Sequence, residues 1–121
     1  MTTTDVAKVC HEANKALCEG LGDNSQLAWE SASPEEQMAV TTAVQNQLNN
    51  PATTAEDVHN AWCQKMFAAG YYYGPVKDET LKEDPALVHY NKLPADAQAK
   101  SNLFITIVNQ LSALVPKPGQ A

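Results

Sequence analysis

The segment from Val58 to Pro94 constrains the fold most, because a regular helical pattern stops within it and does not resume before its end. Gly70 ends the helical part, and three consecutive tyrosines and Gly74-Pro75 follow without helical periodicity. Alternation favours short extended stretches at 71–73 and 87–90, which are candidates for pairing as a small β-hairpin. The loop between them is long, and long loops without regular structure are often functional.

Four helices are predicted from apolar periodicity and from local start and stop signals. Ser33 is expected to cap the second helix with Glu36 completing a capping box, and Thr53 with Glu56 predicts another box before the third. Pro94 is expected to open the last helix. The predicted ranges are 4–19, 34–48, 55–69 and 95–114. The fold class is therefore mainly α, with about four helices and an irregular tyrosine-rich segment at 70–92.

Each predicted helix has one apolar stripe that is expected to face a core. In the loop after the first helix, Trp29 is expected to anchor to this core. The inward residues are expected to be Val6, Val9, Cys10, Ala13 and Leu17 in the first helix, Met38, Val40, Val44 and Leu48 in the second, Val58, Ala61, Trp62, Lys65, Met66 and Ala69 in the third, and Leu103, Phe104, Ile107, Val108, Leu111 and Leu114 or Val115 in the fourth.

A chain of 121 residues is long enough for one domain with its own core, so no disulfide or metal is required for folding. No apolar run approaches the roughly 20 residues that a membrane span needs, and no secretion signal is visible at the N-terminus. The three cysteines are an odd number, which argues against a disulfide framework and favours buried thiols in a reducing cytosol. We therefore expect a cytoplasmic protein without contact to membranes.

Charge is unevenly distributed along the sequence. Residues 1–57 carry two lysines against nine acids, while residues 58–121 carry six lysines against five acids. The net charge of −6 and the absence of arginine argue against a nucleic-acid partner. A small anion could still be held by a few lysines, because a local field dominates at short range.

The segment from Val58 to Pro94 resembles the RyR domain, the repeat named from ryanodine receptors. Upstream, Val9 to Asn14, Leu21 to Gln26 and Trp29-Glu30 resemble the N-terminal segment of RyR-domain proteins of phages and prophages, so the resemblance covers roughly residues 6–115. Tyr71 departs from the family pattern, which usually has tryptophan there. The residues that match the family pattern are His59, Trp62, Lys65, Gly70, Tyr71, Tyr73, Gly74, Pro75, Val76, Lys77, Asp78, Lys82, Pro85, Leu87, Tyr90, Leu93 and Pro94.

The resemblance implies an RyR-like domain at 53–115, with 1–52 as a helical extension packed on its core and 116–121 as a flexible tail. It also implies a phage or prophage protein in the cytoplasm of a bacterial host. Receptor repeats occur in tandem pairs, whereas this chain has one copy. A homodimer is therefore expected, using the wide apolar face of the last helix.

Enzymatic chemistry has little support in the sequence. It contains no nucleophile elbow, no phosphate-binding glycine loop and no zinc-protease motif. Cys63 and His59 lie four residues apart and could activate a thiolate, but a buried cysteine beside a hydrogen-bonded histidine is the simpler interpretation. Cys10, His11, His59 and Cys63 lack the paired spacing of a zinc site. We expect no enzyme activity, no cofactor and no metal.

A binding pocket for a nucleotide-like ligand is the better hypothesis. An aromatic face can stack on a base while lysine ammonium groups meet a phosphate, and the resemblance implies a phage protein that could sequester a host immune nucleotide signal. One alternative is that the tyrosines only pack and the lysines are solvated, and another is a protein–protein interaction module without a ligand. The candidate ligand-binding residues are Tyr71, Tyr73, Lys77, Lys82, Lys65 and His59. In either case His59 is expected to hydrogen-bond the loop, and Trp62 to pack in the core.

Overall fold

The computed structural model describes residues 1–116, in which four α-helices and three 3-10 turns are the regular elements. The prediction of a mainly α fold with four helices is confirmed, and within the described residues no helix is long and apolar enough to span a bilayer. The flexible tail predicted at 116–121 lies outside the described residues, except for Pro116. The helices are α1 Thr3–Gly20, α2 Pro34–Asn49, α3 Ala55–Ala68 and α4 Ala95–Leu111. The 3-10 turns are Trp29–Ser31, Tyr90–Lys92 and Ser112–Leu114.

α3 begins at residue 55 as predicted, but its N-cap lies one residue later than expected. Thr54, not Thr53, is the N-cap: its hydroxyl accepts from the Asp57 N–H (3.1 Å), and the Asp57 carboxylate accepts from the Thr54 N–H (3.0 Å). Adjacent threonines followed by adjacent acids allow two registers for a capping box. The observed register buries Ala55 at the start of the helix, and this tertiary contact cannot be deduced from the cap residues alone.

The chain divides into two compact units. Unit 1 contains residues 1–52 together with the chain from Lys100 onward, and unit 2 is Thr53–Ala99. The start of α4 therefore belongs to unit 2 and the remainder of that helix to unit 1. The domain boundaries predicted from the sequence, 1–52 and 53–115, stay a prediction.

Unit 1 is built around valines that are completely excluded from solvent. Val6 of α1, Val44 of α2 and Val108 of α4 are each 0% exposed, and Trp29 is 8% exposed. The predicted anchoring role of Trp29 is thereby confirmed. The partly buried residues that pack against this core are Val40, Leu48, Phe104, Ile107, Leu111 and Val115. Much of the apolar face of α4 is thus packed inside unit 1, and the predicted homodimer through this face stays a prediction.

In α1 and α2, two residues that were expected to point inward are exposed. Val9 is 40% and Met38 is 68% exposed, while Gln47 is buried at 2%. A helix that packs from one side buries only part of its circumference, so residues at the edge of an apolar stripe remain in solvent. Gln47 can be buried because its amide donates to Asn109 Oδ1 (3.3 Å) and to the Pro51 carbonyl (3.4 Å).

Each unit holds a 3-10 turn through a histidine of the preceding long helix. In unit 1, His11 Nε2 lies 2.7 Å from the Leu27 carbonyl, two residues before the turn that begins at Trp29. In unit 2, His59 Nε2 lies 2.7 Å from the Val88 carbonyl, two residues before the turn that begins at Tyr90. The sequence shows no repeat, yet both units use the same side-chain contact to position an aromatic residue ahead of a helix.

Candidate functional site in the tyrosine loop

The tyrosine loop, residues 71–84 of unit 2, is held by pairing within itself. Tyr72 donates its N–H to the Lys82 carbonyl (2.9 Å), and its own carbonyl accepts from the Asp84 N–H (3.0 Å). The predicted pairing of 71–73 with 87–90 is therefore wrong, because this stretch pairs with residues 82–84 instead. Closing the shorter connection to 82–84 costs less chain entropy, which favours the observed pairing.

The tip of the tyrosine loop has a shape fixed by Asp78. Asp78 and Glu83 exchange two backbone hydrogen bonds, both of 2.9 Å. The Asp78 carboxylate also accepts from the N–H groups of Thr80 (2.9 Å) and Leu81 (3.0 Å). Such self-bonding is how aspartate stabilises tight turns. Residues 79–81 therefore project from a defined turn.

Gly74 is where the two sides of the loop approach most closely. It is buried, and a Cβ added to it would lie 2.5 Å from Glu83 Cβ. Because this neighbour is the first atom of a side chain and not its flexible end, the space cannot be opened without moving the backbone. Glycine at this position lets Glu83 lie across the loop.

Glu79 connects two of the predicted site residues. The Tyr71 hydroxyl donates to Glu79 Oε2 at 2.6 Å, and Lys77 Nζ lies 3.8 Å from Glu79 Oε1. The hydrogen bond to Glu79 raises the pKa of Tyr71, with desolvation as a smaller cause. Loss of the phenol proton would put two negative groups side by side, so the phenol stays a donor at neutral pH. One phenol and one ammonium thus converge on a single carboxylate.

Lys82 covers Tyr71 from another direction. Its ammonium lies 5.9 Å from the centroid of the Tyr71 ring, within the range of cation–π attraction, and donates to the Ala69 carbonyl at 3.1 Å. The Lys82 backbone has φ 55°, a left-handed conformation that is uncommon for residues with a Cβ. Tyr71, Lys77 and Lys82 are therefore brought together, as predicted for a site.

Tyr73 and Lys65 have no such connection. Tyr73 is 58% exposed, and Lys65 is exposed on α3. Within residues 1–116, neither side chain has a hydrogen bond or an ion pair with the other candidate residues. Their proposed contacts with a ligand stay predictions.

His59 belongs to a separate cluster that supports the chain after the loop. Besides the Val88 carbonyl, it meets the rings of Trp62 (5.8 Å) and Tyr90 (6.1 Å between centroids). The expectation that His59 hydrogen-bonds the loop segment is confirmed at Val88. The buried residues of α3 are Ala55 and Cys63. The expectation of an inward stripe on this helix was wrong at four positions that are exposed: Val58 (45%), Ala61, Lys65 and Ala69.

The geometry around Cys63 argues against an activated thiol. Its sulfur lies 3.3 Å from His59 Nε2, the same nitrogen that lies 2.7 Å from the Val88 carbonyl. A carbonyl oxygen only accepts, so this nitrogen carries the proton and has no lone pair to take one from the thiol. Burial, and then the charge of Asp84, raise the pKa of Cys63, which leaves less thiolate at neutral pH than a free cysteine has.

We predict that the thiols of the native protein react slowly with Ellman's reagent and that replacing His59 by alanine does not slow Cys63 further. Burial raises the pKa of Cys10 to about 11, so at pH 8 only about one thiol in a thousand is ionised there. Labelling in guanidinium chloride, where all three cysteines should react, is the reference. A native Cys63 that reacts fast and loses its reactivity in His59→Ala would contradict this account.

Sequence reasoning missed Glu79. Its role depends on the turn at Asp78, which brings the side chain back to a tyrosine eight residues earlier. Neither its type nor its spacing distinguishes it from other surface glutamates. The only available sign is the Asp78-Glu79-Thr80 sequence itself, since aspartate followed by polar residues favours a tight turn.

A protein-family model described as the RyR domain matches residues 33–115, more than half of the chain. The matched range contains α2, α3, the tyrosine loop and α4, and with them every candidate ligand-binding residue. The resemblance seen in the segment 58–94 is thereby confirmed as a family relationship.

Proposed function

The chain belongs to the RyR domain family, and from this premise we propose that it is a non-enzymatic binding module for a small anionic, nucleotide-like ligand. The ligand would bind at the tyrosine loop, with Tyr71 and Tyr73 against its base and Lys77 and Lys82 at its phosphate. Lys65 and His59 would contribute only at the edge of this site.

The convergence of Tyr71, Lys77 and Lys82 is the observation that supports the proposal. An ammonium 5.9 Å from a ring centroid and a phenol that shares a carboxylate with a second ammonium supply a flat face and several donors within one loop. A base needs the first and a phosphate needs the second. Because Lys82 lies over one face of Tyr71, a base would stack on the opposite face.

The acids of the loop outnumber its lysines, but most of them have structural roles. Asp78 accepts backbone N–H groups in the turn, and Asp84 is 7% exposed and accepts from the Ala86 N–H (2.9 Å). Glu83 lies against Gly74. Three of the carboxylates are thus used to build the loop, which leaves Glu79 as the one that shares the donors of the site.

The biological setting is part of the same proposal and follows from the family resemblance. A phage or prophage protein of this type would act in the cytoplasm of a bacterial host and sequester an immune nucleotide signal as an anti-defence protein. Homodimerisation is retained as a proposal, although much of the apolar face of α4 packs in the core of unit 1. Light scattering at tens of micromolar protein would measure the assembly state.

We predict that Tyr71→Ala weakens nucleotide binding by about tenfold or more, because stacking of a base on an aromatic side chain contributes about 1–3 kcal/mol. Tyr71→Phe keeps the ring and removes only the hydroxyl, so it should weaken binding less. Lys77→Ala and Lys82→Ala should weaken binding in a way that depends on salt, since exposed ammonium–phosphate contacts are screened. Thermal melts against a nucleotide panel would find the ligand, and titration calorimetry would measure each variant.

Tyr72→Ala is the matched control for this series. Tyr72 is 66% exposed and neighbours Tyr71, but its ring contacts Phe67 (6.5 Å between centroids). Its loss should leave nucleotide affinity within about twofold of the wild type. The proposal fails if no nucleotide shifts the melting temperature, or if the affinity of a bound nucleotide survives Tyr71→Ala combined with Lys77→Ala.

A protein–protein interaction module is the second candidate function. Large apolar side chains are exposed on the tyrosine loop and at the end of α3 just before it. Scattered exposed apolar residues are normal, whereas a concentration of them marks interaction sites. In this case Tyr72→Ala would weaken partner binding while nucleotides have no effect. The exposed residues are Phe67 47%, Tyr72 66%, Tyr73 58%, Val76 72% and Leu81 68%.

A further inference from the structure

Glu79 places its own carboxylate on the donors that a phosphate would need. One oxygen accepts from the Tyr71 hydroxyl (2.6 Å), and the other lies 3.8 Å from Lys77 Nζ. A phosphate group would bind in the same way, with one oxygen near the Tyr71 hydroxyl and another near the Lys77 ammonium. The loop therefore carries an anion of its own at the position where an anionic ligand is proposed to bind.

We infer that Glu79 is an intramolecular competitor of the ligand, and that it makes the site prefer ligands with a terminal phosphate. This inference rests on the proposed function, because it concerns the same site. It adds a residue that determines specificity and a ligand class, the phosphate monoesters. Tyr71 and Lys77 bind Glu79 in the free protein and the phosphate in the complex.

The exposure of the pair makes this exchange feasible. The side chains of Lys77 and Glu79 are both 68% exposed, and exposed ion pairs of this kind are stabilised only weakly. If the state with Glu79 bound to the donors is only a few times more populated than the open state, Glu79 raises the apparent dissociation constant of a competing ligand only a few-fold. Glu79 therefore reduces affinity without closing the site.

Charge explains why a terminal phosphate would displace Glu79 better than a diester does. A phosphate monoester carries about −1.5 to −2 at pH 7, whereas a diester carries a single charge, the same as the carboxylate. Exchanging Glu79 for a diester gains no additional attraction to Lys77 and Lys82, and the tethered side chain has the advantage of proximity. A monoester gains attraction to both ammonium groups.

Titration calorimetry with AMP as the monoester and cyclic AMP as the diester tests the inference. Glu79→Gln keeps an oxygen that can accept from Tyr71 but removes the charge, and it should bind AMP about 2- to 6-fold more tightly than the wild type. Glu56→Gln removes an exposed charge from the first turn of α3 in the same unit and should leave the affinity unchanged. The wild type should bind cyclic AMP several-fold more weakly than AMP.

The outcomes separate the competitor from the site itself. If AMP binds the wild type and Glu79→Gln equally, or if Glu56→Gln has the same effect as Glu79→Gln, the competing role of Glu79 is refuted. The proposal that the loop binds a nucleotide then still stands. Equal binding of cyclic AMP and AMP by the wild type would overturn the ligand class. If neither nucleotide binds the wild type or Glu79→Gln, the inference is overturned, whereas the proposed function is decided by the thermal melts against the nucleotide panel.

A measurement without any ligand tests the contact directly. Since Glu79 raises the pKa of Tyr71, Glu79→Gln should lower the pKa of that phenol, which ultraviolet titration of tyrosinate detects. Tyr71→Phe identifies which part of the curve belongs to Tyr71. Identical titration curves for the wild type and Glu79→Gln would mean that the contact does not form in solution, and the inference would be wrong.

Discussion

Gly74→Ala is expected to destabilise the protein by about 1–3 kcal/mol or more, the usual cost of forcing extra atoms into a closely packed place. The new Cβ would lie 2.5 Å from Glu83 Cβ, so the two sides of the tyrosine loop must separate. Separation breaks the pairing of Tyr72 with residues 82–84 that holds the site residues together. Urea unfolding would measure the stability, and titration calorimetry would measure the loss of the site.

Gly20→Ala is the control for this substitution. Gly20 is the last residue of α1, and nothing lies within 4 Å of a Cβ added there. Alanine at a compatible position stabilises slightly, by about 0.4–1 kcal/mol, because it restricts the unfolded chain. Glu83→Ala should not rescue Gly74→Ala, since the closest atom, the Cβ of residue 83, remains. Equal stability of Gly74→Ala and Gly20→Ala would refute the packing argument.

Trp29→Ala is expected to have the larger effect on stability, a loss of about 3–5 kcal/mol. Trp29 is 8% exposed and packs in the valine core of unit 1, with His11 against its ring at 5.6 Å between centroids. A chain of this size has only about 5–15 kcal/mol of total stability, so the variant should melt about 10–20 °C lower. Differential scanning calorimetry measures this shift.

The backbone contacts of Trp29 should survive the substitution. Its N–H donates to Glu12 Oε1 (3.1 Å), and its carbonyl accepts from Gln37 Nε2 (2.7 Å). The loss therefore measures packing of the indole alone. Met38→Ala is the control, because Met38 is 68% exposed and its truncation should change stability by no more than about 0.5 kcal/mol. A Trp29→Ala variant as stable as Met38→Ala would contradict the assignment of the core.

The helices could be predicted because their limits depend on neighbours in sequence. Pro34 and Ser33 fix the start of α2 through local bonds, since the Ser33 hydroxyl accepts from the Glu36 N–H at 3.1 Å. What packs against a helix is not local, and so Met38 and Val58 were placed inside although they lie outside. Patterns of apolar residues indicate a face but not how much of it a neighbouring element will cover.

The candidate site was predictable in only three of its six residues, and its connections were not predictable. Aromatic and lysine residues within one irregular segment indicated Tyr71, Lys77 and Lys82, which the structure brings together. The carboxylate between them depends on a turn closed by backbone bonds from Asp78 to Glu83, and such closure has no periodic signal in the sequence. His59 contacts Val88, 29 residues along the chain, and not the other candidate residues, and sequence spacing does not indicate so distant a partner.

Both ends of the segment 71–88 of unit 2 are attached to the same helix. The Tyr71 N–H bonds the Met66 carbonyl at the end of α3 (2.9 Å), and the Val88 carbonyl bonds His59 of α3. A segment fastened in this way can change at its tip without disturbing its supports, as in the Ω-loops of other proteins. If the proposed function holds, residues 79–81 are therefore where substitutions would change ligand preference at little cost to the scaffold. Selection for a new ligand would be expected to act on Glu79 before it reaches Gly74 or His59.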